Sequence, residues 1–270
     1  VESHASSGSV GSRVVEALRK HYQTPLTLIA IFLIWQFGVM AFKAPEYILP
    51  TPASALGHLF FEQPDANYNW ALHITTTLYE VVISFAVTGV VGIIIAIFIS
   101  WSKSIYDTIM PLFIFVNSLP IIAIAPIILL WFGYGLFTNI FIAFLISFFP
   151  VVINTSRGLT EVDEELLDLV RYLNGTKLQI FIKIRFPNSL PYIFSGLKIS
   201  STMCVVGAIV GEFIASDRGL GYIIINSQYA MDTPPIFASL ILVSVIGVSL
   251  FSIVSLAQRY LMPWHQPEQL

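Results

Sequence analysis

The run ITTTLYEVVISFAVTGVVGIIIAIFISW, from Ile74 to Trp101, predicts a helix that crosses a lipid bilayer. It carries a single charged residue, Glu80. A helix needs about 20 apolar residues to cross a hydrocarbon core of roughly 30 Å, and this run exceeds that length. Unpaired backbone groups are too costly in lipid, so the segment must be helical. Its apolar residues do not alternate with polar ones, which argues against a β-barrel strand.

Five further apolar stretches extend this prediction to six membrane-spanning helices. They run from about Pro25 to Phe42, Ile109 to Phe132, Phe137 to Ile153, Ile193 to Ile214 and Ile236 to Leu261. Of the 270 residues, 56% are hydrophobic and only 11% are charged, whereas soluble domains carry about 25% charged residues. The expected fold is therefore an all-α transmembrane bundle over residues 25–261. Polar tails are expected at 1–24 and 262–270.

The basic residues predict the orientation of the chain. With the N-terminus inside, only Lys43 and Arg218 of the thirteen Lys and Arg residues lie outside. Basic residues concentrate on the cytoplasmic side of membrane proteins. We therefore expect a multi-pass protein of the plasma membrane (a bacterial inner membrane) with both termini in the cytoplasm. The largest inner connection is then the segment 154–192.

Little in the sequence indicates covalent chemistry. Cys204 is the one cysteine and lies in an apolar run, where packing is expected. The five His residues show no ligand spacing, so no metal site is predicted. No G-x-x-x-x-G-K-[ST] motif occurs, so the chain cannot bind ATP through a P-loop. No nucleic-acid partner is predicted.

The inner segment begins with the pattern of an amphipathic helix. Thr160-Glu161-Val162-Asp163 resembles a capping box, with acidic groups where the helix dipole favours them. Asn174-Gly175 is expected to end the helix, since both residues tolerate the left-handed conformation. The apolar residues with helical spacing are Leu166, Leu169, Val170 and Leu173.

A second short helix is expected after this turn. Thr176 can cap it, and it would run to about Phe186, where Pro187 and Pro191 are expected to break it before the fifth span. Such a helix–turn–helix suits docking into a groove of another protein. The alternative is a helix resting on the lipid surface, which the many acidic residues of the segment disfavour because anionic lipid repels them.

One resemblance rests on this segment. Asp168-Leu169-Val170-Arg171-Tyr172-Leu173-Asn174, then nine residues, then Ile184-Arg185-Phe186-Pro187, resembles the EAA motif. That motif, E-A-A-x-x-x-G, nine residues, I-x-L-P, marks the permease subunits of binding-protein-dependent ABC importers. Here Asp168 stands for Glu, Leu169-Val170 for Ala-Ala and Asn174 for Gly. Asp keeps the charge and Asn keeps the turn, while the bulkier pair changes the detail of docking.

Other motifs, in the same order along the chain, are similar to those of the nitrate/sulfonate/taurine branch of these permeases. They are Leu49-Pro50-Thr51-Pro52, Ala125-Pro126 with Trp131-Phe132-Gly133, Phe148-Phe149-Pro150 with Asn154-Thr155, and Gly219-Leu220-Gly221. Each is weak alone, and their order gives them weight. The resemblance covers roughly Leu49 to Tyr222.

The resemblance implies a type I ABC importer permease fold (MetI-like) with cytoplasmic coupling helices. It also implies three kinds of partner: ABC ATPase subunits that carry the ATP and Mg²⁺, a second permease that is identical or homologous, and an extracytoplasmic substrate-binding protein. The chain itself would hold no cofactor. An arginine at Asp168 or Leu169 is expected to abolish ATPase association. The implied ATPase-coupling residues are Glu164, Glu165, Asp168, Leu169, Val170, Leu173, Asn174, Gly175 and Pro187.

Further residues are candidates for the translocation pathway or a subunit interface. Asn117, Ser118 and Pro120 interrupt the third span, where an unwound segment could line the pathway; a simple proline kink is the alternative. Gly207 and Gly211 allow close helix contact at an interface, at the pathway wall or inside the subunit.

Carboxylates inside spans are also candidates. Glu80 and Glu212 lie near the predicted outer ends of their spans. A buried carboxylate in a membrane is a functional candidate, and the alternative is that both reach headgroup water.

The function that the resemblance implies is passage of a small anionic or polar organic solute, delivered by a binding protein and driven by a separate ATPase. A secondary transporter would need its own ion site and a repeated architecture, and neither is visible. A membrane scaffold would not need the spaced Asp168, Asn174 and Pro187. The substrate and the choice between homodimer and heterodimer stay open.

Overall fold

The computed structural model describes residues 10–61 and 68–264, with side chains from residue 26 onward. Within these ranges every regular element is helical. The helices are α1 (Val10–Phe42), α2 (Pro52–Phe60), α3 (Trp70–Ser100), α4 (Lys103–Asn117), α5 (Ile121–Phe132), α6 (Leu136–Thr160), α7 (Glu164–Tyr172), α8 (Lys177–Ile180), a π-helical turn (Phe181–Arg185), α9 (Phe186–Ala215), α10 (Leu220–Tyr229) and α11 (Thr233–Leu261). The all-α transmembrane class is confirmed.

The described part of the structure contains four or five helices long enough to cross a membrane, against the six spans predicted from the sequence. Four helices of the described residues are long and apolar enough to cross a membrane. They are α3, α6, α11 and the helix Lys177–Ala215, which comprises α8, the π-helical turn and α9. The α4–α5 pair adds a fifth if it counts as one bent span, and α1 contributes an apolar part of 17 residues, Leu26–Phe42. Each predicted stretch thus contains a helix, but the count of six is not confirmed.

Two helix boundaries differ from the sequence prediction. Helix α1 begins at Val10, well before the expected start near Pro25. Pro187 and Pro191 do not break the chain before the fifth span, because α9 starts at Phe186 and runs through both. Pro187 lies in the first turn of α9, where the missing N–H costs nothing. The π-helical turn before it absorbs the change of register.

The chain forms two compact units, and the first comprises residues 1–67 and 230–238. In it Thr51 is the N-cap of α2, and its side chain accepts a hydrogen bond from the Ser54 N–H at 3.1 Å. Pro52 occupies the first helical position. The Thr233 hydroxyl donates to the Tyr47 carbonyl at 2.6 Å. The ring centroids of Trp35 and Phe237 lie 5.3 Å apart.

The second unit, residues 68–229 and 239–270, holds the candidate functional residues. Helix α6 packs most extensively on α9 and then on α3. The apolar core of this second unit includes Val81 on α3, Ala143 on α6 and Ala208 on α9, all fully buried. Small residues at these positions let the helix backbones approach closely, which drives helix association in lipid.

Candidate functional site

The segment between α6 and α9 forms the helix–turn–helix that the sequence predicted. Helix α7 buries Leu167 and leaves an apolar face open to its surroundings. On that face Leu169 is 55% exposed and Leu173 is 70% exposed. An uncovered apolar face on a short connecting helix is typical of a protein-binding site.

The caps of α7 differ in one respect from the predicted capping box. Thr160 is the last residue of α6, and its hydroxyl donates to the Ser156 carbonyl at 2.9 Å. Asp163 is the N-cap instead, and its carboxylate accepts from the Glu165 N–H at 3.0 Å. Asp163 suits this position because its carboxylate accepts a hydrogen bond from a backbone N–H of the first turn and also places a negative charge at the helix N-terminus.

The turn after α7 agrees with the prediction. Asn174 has φ +56°, a left-handed conformation that Asn tolerates. The Gly175 N–H donates to the Val170 carbonyl at 2.9 Å. A Cβ at Gly175 would overlap the Val170 side chain, so this position requires glycine.

Helix α8 carries a capping box that the sequence analysis did not identify. The Thr176 hydroxyl accepts from the Gln179 N–H at 3.2 Å, and the Gln179 side chain accepts from the Thr176 N–H at 2.8 Å. The signal was present as Thr followed three residues later by Gln.

Side chains of α9 form hydrogen bonds with the C-terminal end of α6, where the helix–turn–helix begins. The Asn188 amide donates to the Gly158 and Glu161 carbonyls, both at 3.0 Å. The Tyr192 hydroxyl donates to the Glu161 carboxylate at 3.3 Å, and the Arg157 Nε donates to the same carboxylate at 2.7 Å. These hydrogen bonds join the start of α9 to the C-terminal end of α6, on either side of the helix–turn–helix.

A second set of candidate residues is a polar cluster buried among the membrane helices. Glu80 and Glu212 are 0% and 1% exposed, so neither carboxylate reaches headgroup water. Asn139 donates to Glu80 Oε1 at 2.8 Å. The Thr77 hydroxyl donates to Glu212 Oε1 at 2.5 Å and accepts from the Leu220 N–H at 2.8 Å. Buried polar groups joined in this way tie α3, α6, α9 and α10 together.

The Gly219-Leu220-Gly221 motif encloses the Glu212 carboxylate. Gly219 has φ +103°, and a Cβ there would overlap that carboxylate. The Gly221 N–H donates to Glu212 Oε2, and the Gly219 N–H donates to His73 Nδ1 at 3.0 Å. The motif was visible in the sequence, but its partners His73 and Thr77 carried no local signal.

The predicted pathway and interface residues divide into two groups. Asn117, Ser118 and Pro120 lie at the junction of α4 and α5, which are bent by 88°. The predicted interruption of the third span is therefore observed, and its residues are exposed.

Gly207, Gly211 and Glu212 are instead buried within the chain. A Cβ at Gly207 would lie 2.5 Å from Ala143 Cα, and one at Gly211 would lie 2.8 Å from Asn139 Cα. Of the alternatives left open for the two glycines, the structure adopts packing inside the subunit. A role of these residues and of Glu212 at the pathway wall or a subunit interface stays a prediction.

Metal-ligating side chains are not grouped in the described ranges. There, no group of three or more His, Cys, Asp or Glu side chains could hold a metal ion. Cys204 is free and buried.

These features define a class: an all-helical, multi-pass membrane subunit that presents an amphipathic helix–turn–helix at one end of its bundle. Comparison with known proteins gives the family. Residues 88–264 match the model of the binding-protein-dependent transport system inner membrane component. The chain belongs to this family of ABC importer permeases.

Individual relatives agree along nearly the whole chain. A probable ABC transporter permease of Haemophilus influenzae is 34% identical over 239 residues, covering 88% of this chain and 96% of the relative. The formylaminopyrimidine transport permease ThiX of Halalkalibacterium halodurans is 28% identical over 254 residues, covering 93% and 100%. The putative aliphatic sulfonates transport permease SsuC of Bacillus subtilis is 29% identical over 271 residues, covering 96% of each.

These matches confirm the resemblance stated above, including the nitrate/sulfonate/taurine branch. The chain is a multi-pass inner membrane transport subunit rather than an enzyme. Neither a secondary transporter nor a membrane scaffold is favoured, because the family and the relatives are ABC permeases.

Proposed function

We propose that this permease transmits the work of a separate ABC ATPase to its membrane helices through α7. The observation that supports the proposal is the uncovered apolar face of Leu166, Leu169 and Leu173 beside the acidic first turn of α7. An amphipathic helix of this kind binds a groove through its apolar residues. ATP and Mg²⁺ are then bound by the partner, in keeping with the lack of a P-loop in this sequence.

Not every predicted coupling residue is expected to touch the ATPase. Leu169 and Leu173 are open for contact, whereas Asn174 and Gly175 shape the turn that presents them. Pro187 lies in the first turn of α9 and aligns the return into the membrane. Glu164, Glu165, Asp168 and Val170 complete the α7 surface, with Asp168 paired to Arg171 at 2.8 Å.

The remaining parts of the importer follow from the family. A second permease subunit would complete the translocation pathway, and a substrate-binding protein would deliver the solute from outside. We place both termini in the cytoplasm, because this orientation leaves only Lys43 and Arg218 outside. The exposed break at Asn117, Ser118 and Pro120 is the proposed pathway segment, since irregular backbone at membrane depth is stable only where it faces protein or a water-filled cavity.

The proposed cargo is a small polar or anionic organic molecule. The relatives named above are described as permeases for formylaminopyrimidine and for aliphatic sulfonates. Both names denote small polar organic compounds. Selectivity is expected to reside mainly in the binding protein, so the ligand of that protein would identify the cargo.

The test of coupling is Leu169→Arg in the assembled transporter. The substitution removes about 1 to 2 kcal/mol of apolar burial and places a charge in a dry groove. Affinity for the ATPase is therefore expected to fall at least about 100-fold. Binding is measured by co-purification and by titration of the ATPase onto the permease in nanodiscs.

Leu178→Arg is the matched control. Leu178 lies on α8 and is 57% exposed, against 55% for Leu169. The control is expected to retain the ATPase. Equal binding of wild type and Leu169→Arg, or equal loss in both variants, would refute docking through the apolar face of α7.

A further inference from the structure

A basic cavity lies between α7, α8 and the C-terminal end of α3. Its volume is about 290 Å³, and its lining includes Trp101, Arg171, Lys177, Phe181 and Arg185. Three of these side chains are cationic, and none of the residues lining this cavity is acidic. We call it the headgroup cavity. Its charge and size suit one phosphate group with its substituents.

Arg185 is the strongest element of the headgroup cavity. Its Nε is buried and has no hydrogen-bond partner in the described part of the chain. Its Nη1 donates to the Ser100 carbonyl at 3.5 Å. A buried guanidinium donor without an acceptor is costly, and a phosphate oxygen in the cavity would satisfy it.

Acidic residues do occur close by, but outside this cavity. Asp107, Glu164 and Asp168 line a neighbouring cavity of about 390 Å³ that shares Arg171 and Arg185. Asp168 pairs with Arg171 at 2.8 Å. Within residues 10–61 and 68–264, no ion pair is found for Lys177 or Arg185, so these two charges remain for a ligand.

The source of the phosphate is indicated by the helix that leads to the cavity. An exposed apolar stripe runs along α3, with residues three or four positions apart, and it ends at Trp101. The stripe consists of Val87, Val90, Ile94, Phe98 and Trp101. Such spacing places all five side chains on one helical face. Two of them, Phe98 at 70% and Val90 at 60% exposure, are among the most open of the span.

We propose that the headgroup cavity binds the phosphate of an anionic phospholipid whose acyl chains lie along this stripe. Lys177 and Arg185 engage the phosphate, and the Trp101 ring lies at the boundary between headgroup and hydrocarbon, where tryptophan is enriched. Basic pockets beside membrane helices on the cytoplasmic side bind anionic headgroups in this way. The choice of leaflet rests on the orientation given under the proposed function.

Lipid occupancy would also affect coupling. Phe181 packs on Trp101, with ring centroids 5.7 Å apart, and it belongs to the π-helical turn that joins α8 to α9. A bound lipid would therefore brace the helix–turn–helix against α3 and make ATP-driven transport sensitive to the anionic lipid content of the membrane.

The experiment measures lipid retention by the permease without any ATPase, so that this readout is independent of coupling; inorganic phosphate and purified ATPase are then added separately as competitors. The protein is purified from bilayers of equal phosphatidylglycerol and phosphatidylcholine, and retained lipid is counted by native mass spectrometry. Wild type is expected to retain phosphatidylglycerol preferentially. Lys177→Gln and Arg185→Gln are each expected to reduce its retention about fivefold, the usual effect of one basic residue near an anionic surface.

Arg259→Gln is the matched control, because Arg259 is a basic residue in the last turn of α11 and does not line the cavity. It is expected to retain phosphatidylglycerol as wild type does. Thermal unfolding checks that each variant is folded, and Lys177→Gln, at an exposed position, serves alone if Arg185→Gln fails to fold.

Four results would overturn the proposal. They are equal retention of the two lipids, an equal loss in Arg259→Gln, displacement of phosphatidylglycerol by inorganic phosphate alone, and its displacement by purified ATPase. The third would identify a free-phosphate site, and the fourth would show that the bound ATPase occupies the cavity.

Discussion

Replacing Thr77 by valine tests whether the buried polar cluster holds four helices together. Thr77 is fully buried on α3. Its hydroxyl donates to Glu212 on α9 and accepts from the N–H of Leu220 at the start of α10. Valine has nearly the same shape, so the substitution removes these two hydrogen bonds and leaves the packing almost unchanged.

The expected loss follows from the groups left without partners. Without the hydroxyl, one Glu212 oxygen loses its donor and the Leu220 N–H loses its acceptor, both in a buried site. Each unsatisfied group costs about 1 to 3 kcal/mol, so the free energy of unfolding should fall by about 2 to 6 kcal/mol. At about 2 to 4 °C per kcal/mol for a chain of this order of size, the Tm should fall by at least about 4 °C.

Thr75→Val is the control on the same helix. The Thr75 hydroxyl donates only to carbonyls of its own helix, Ala71 and Leu72, and the residue is exposed. Its removal is expected to change stability by no more than about 0.5 kcal/mol. Thermal unfolding of both variants in the same detergent, followed by size-exclusion fluorescence, gives the comparison. A Tm for Thr77→Val equal to that of Thr75→Val would refute the structural role of the cluster.

Two further predictions concern helix contacts. Gly211→Ala should destabilise the protein by about 1 to 3 kcal/mol, because the new Cβ would lie 2.8 Å from Asn139 Cα on α6. The control is Gly57→Ala, whose Cβ meets no atom within 4 Å and which should be neutral or slightly stabilising. A lower Tm for Gly57→Ala than for Gly211→Ala would contradict this prediction. Asn188→Ala should leave ATPase binding intact but lower solute-stimulated ATP hydrolysis in proteoliposomes by roughly tenfold, since two hydrogen bonds worth about 1 kcal/mol each join α9 to the C-terminal end of α6, on either side of the proposed coupling segment. Asn154→Ala removes a bond to Pro150 within its own helix and should keep the stimulation, so an equal loss in both Asn variants would exclude a specific link.

The helix–turn–helix was predictable because its signals are local. The turn at Asn174-Gly175 and the caps depend on backbone conformations that only a few residue types favour. The start of α9 was predicted wrongly, because a proline is equally compatible with a helix break and with a first helical turn. In the structure the π-helical turn leads directly into α9 at Phe186, so Pro187 lies in a first helical turn and not at a break.

The buried cluster shows the limit of this reasoning. The sequence marks Glu80 and Glu212 as exceptional, since a carboxylate in an apolar span is costly. It does not reveal that Thr77 and Asn139 are their partners, because 135 residues separate Thr77 from Glu212 and no short pattern connects them.

The sequence by itself showed that the chain enters the membrane and that an amphipathic helix–turn–helix follows the fourth span, and it predicted a separate protein as the energy source. These conclusions follow from the length of apolar runs, the local spacing of polar residues and the missing P-loop. The tertiary structure alone determined that Gly207 and Gly211 face α6, that Glu212 is enclosed by the Gly219–Gly221 loop and that three basic side chains share a cavity. Those facts depend on how helices distant in sequence pack, and packing is fixed by the shapes of all the contacting surfaces together.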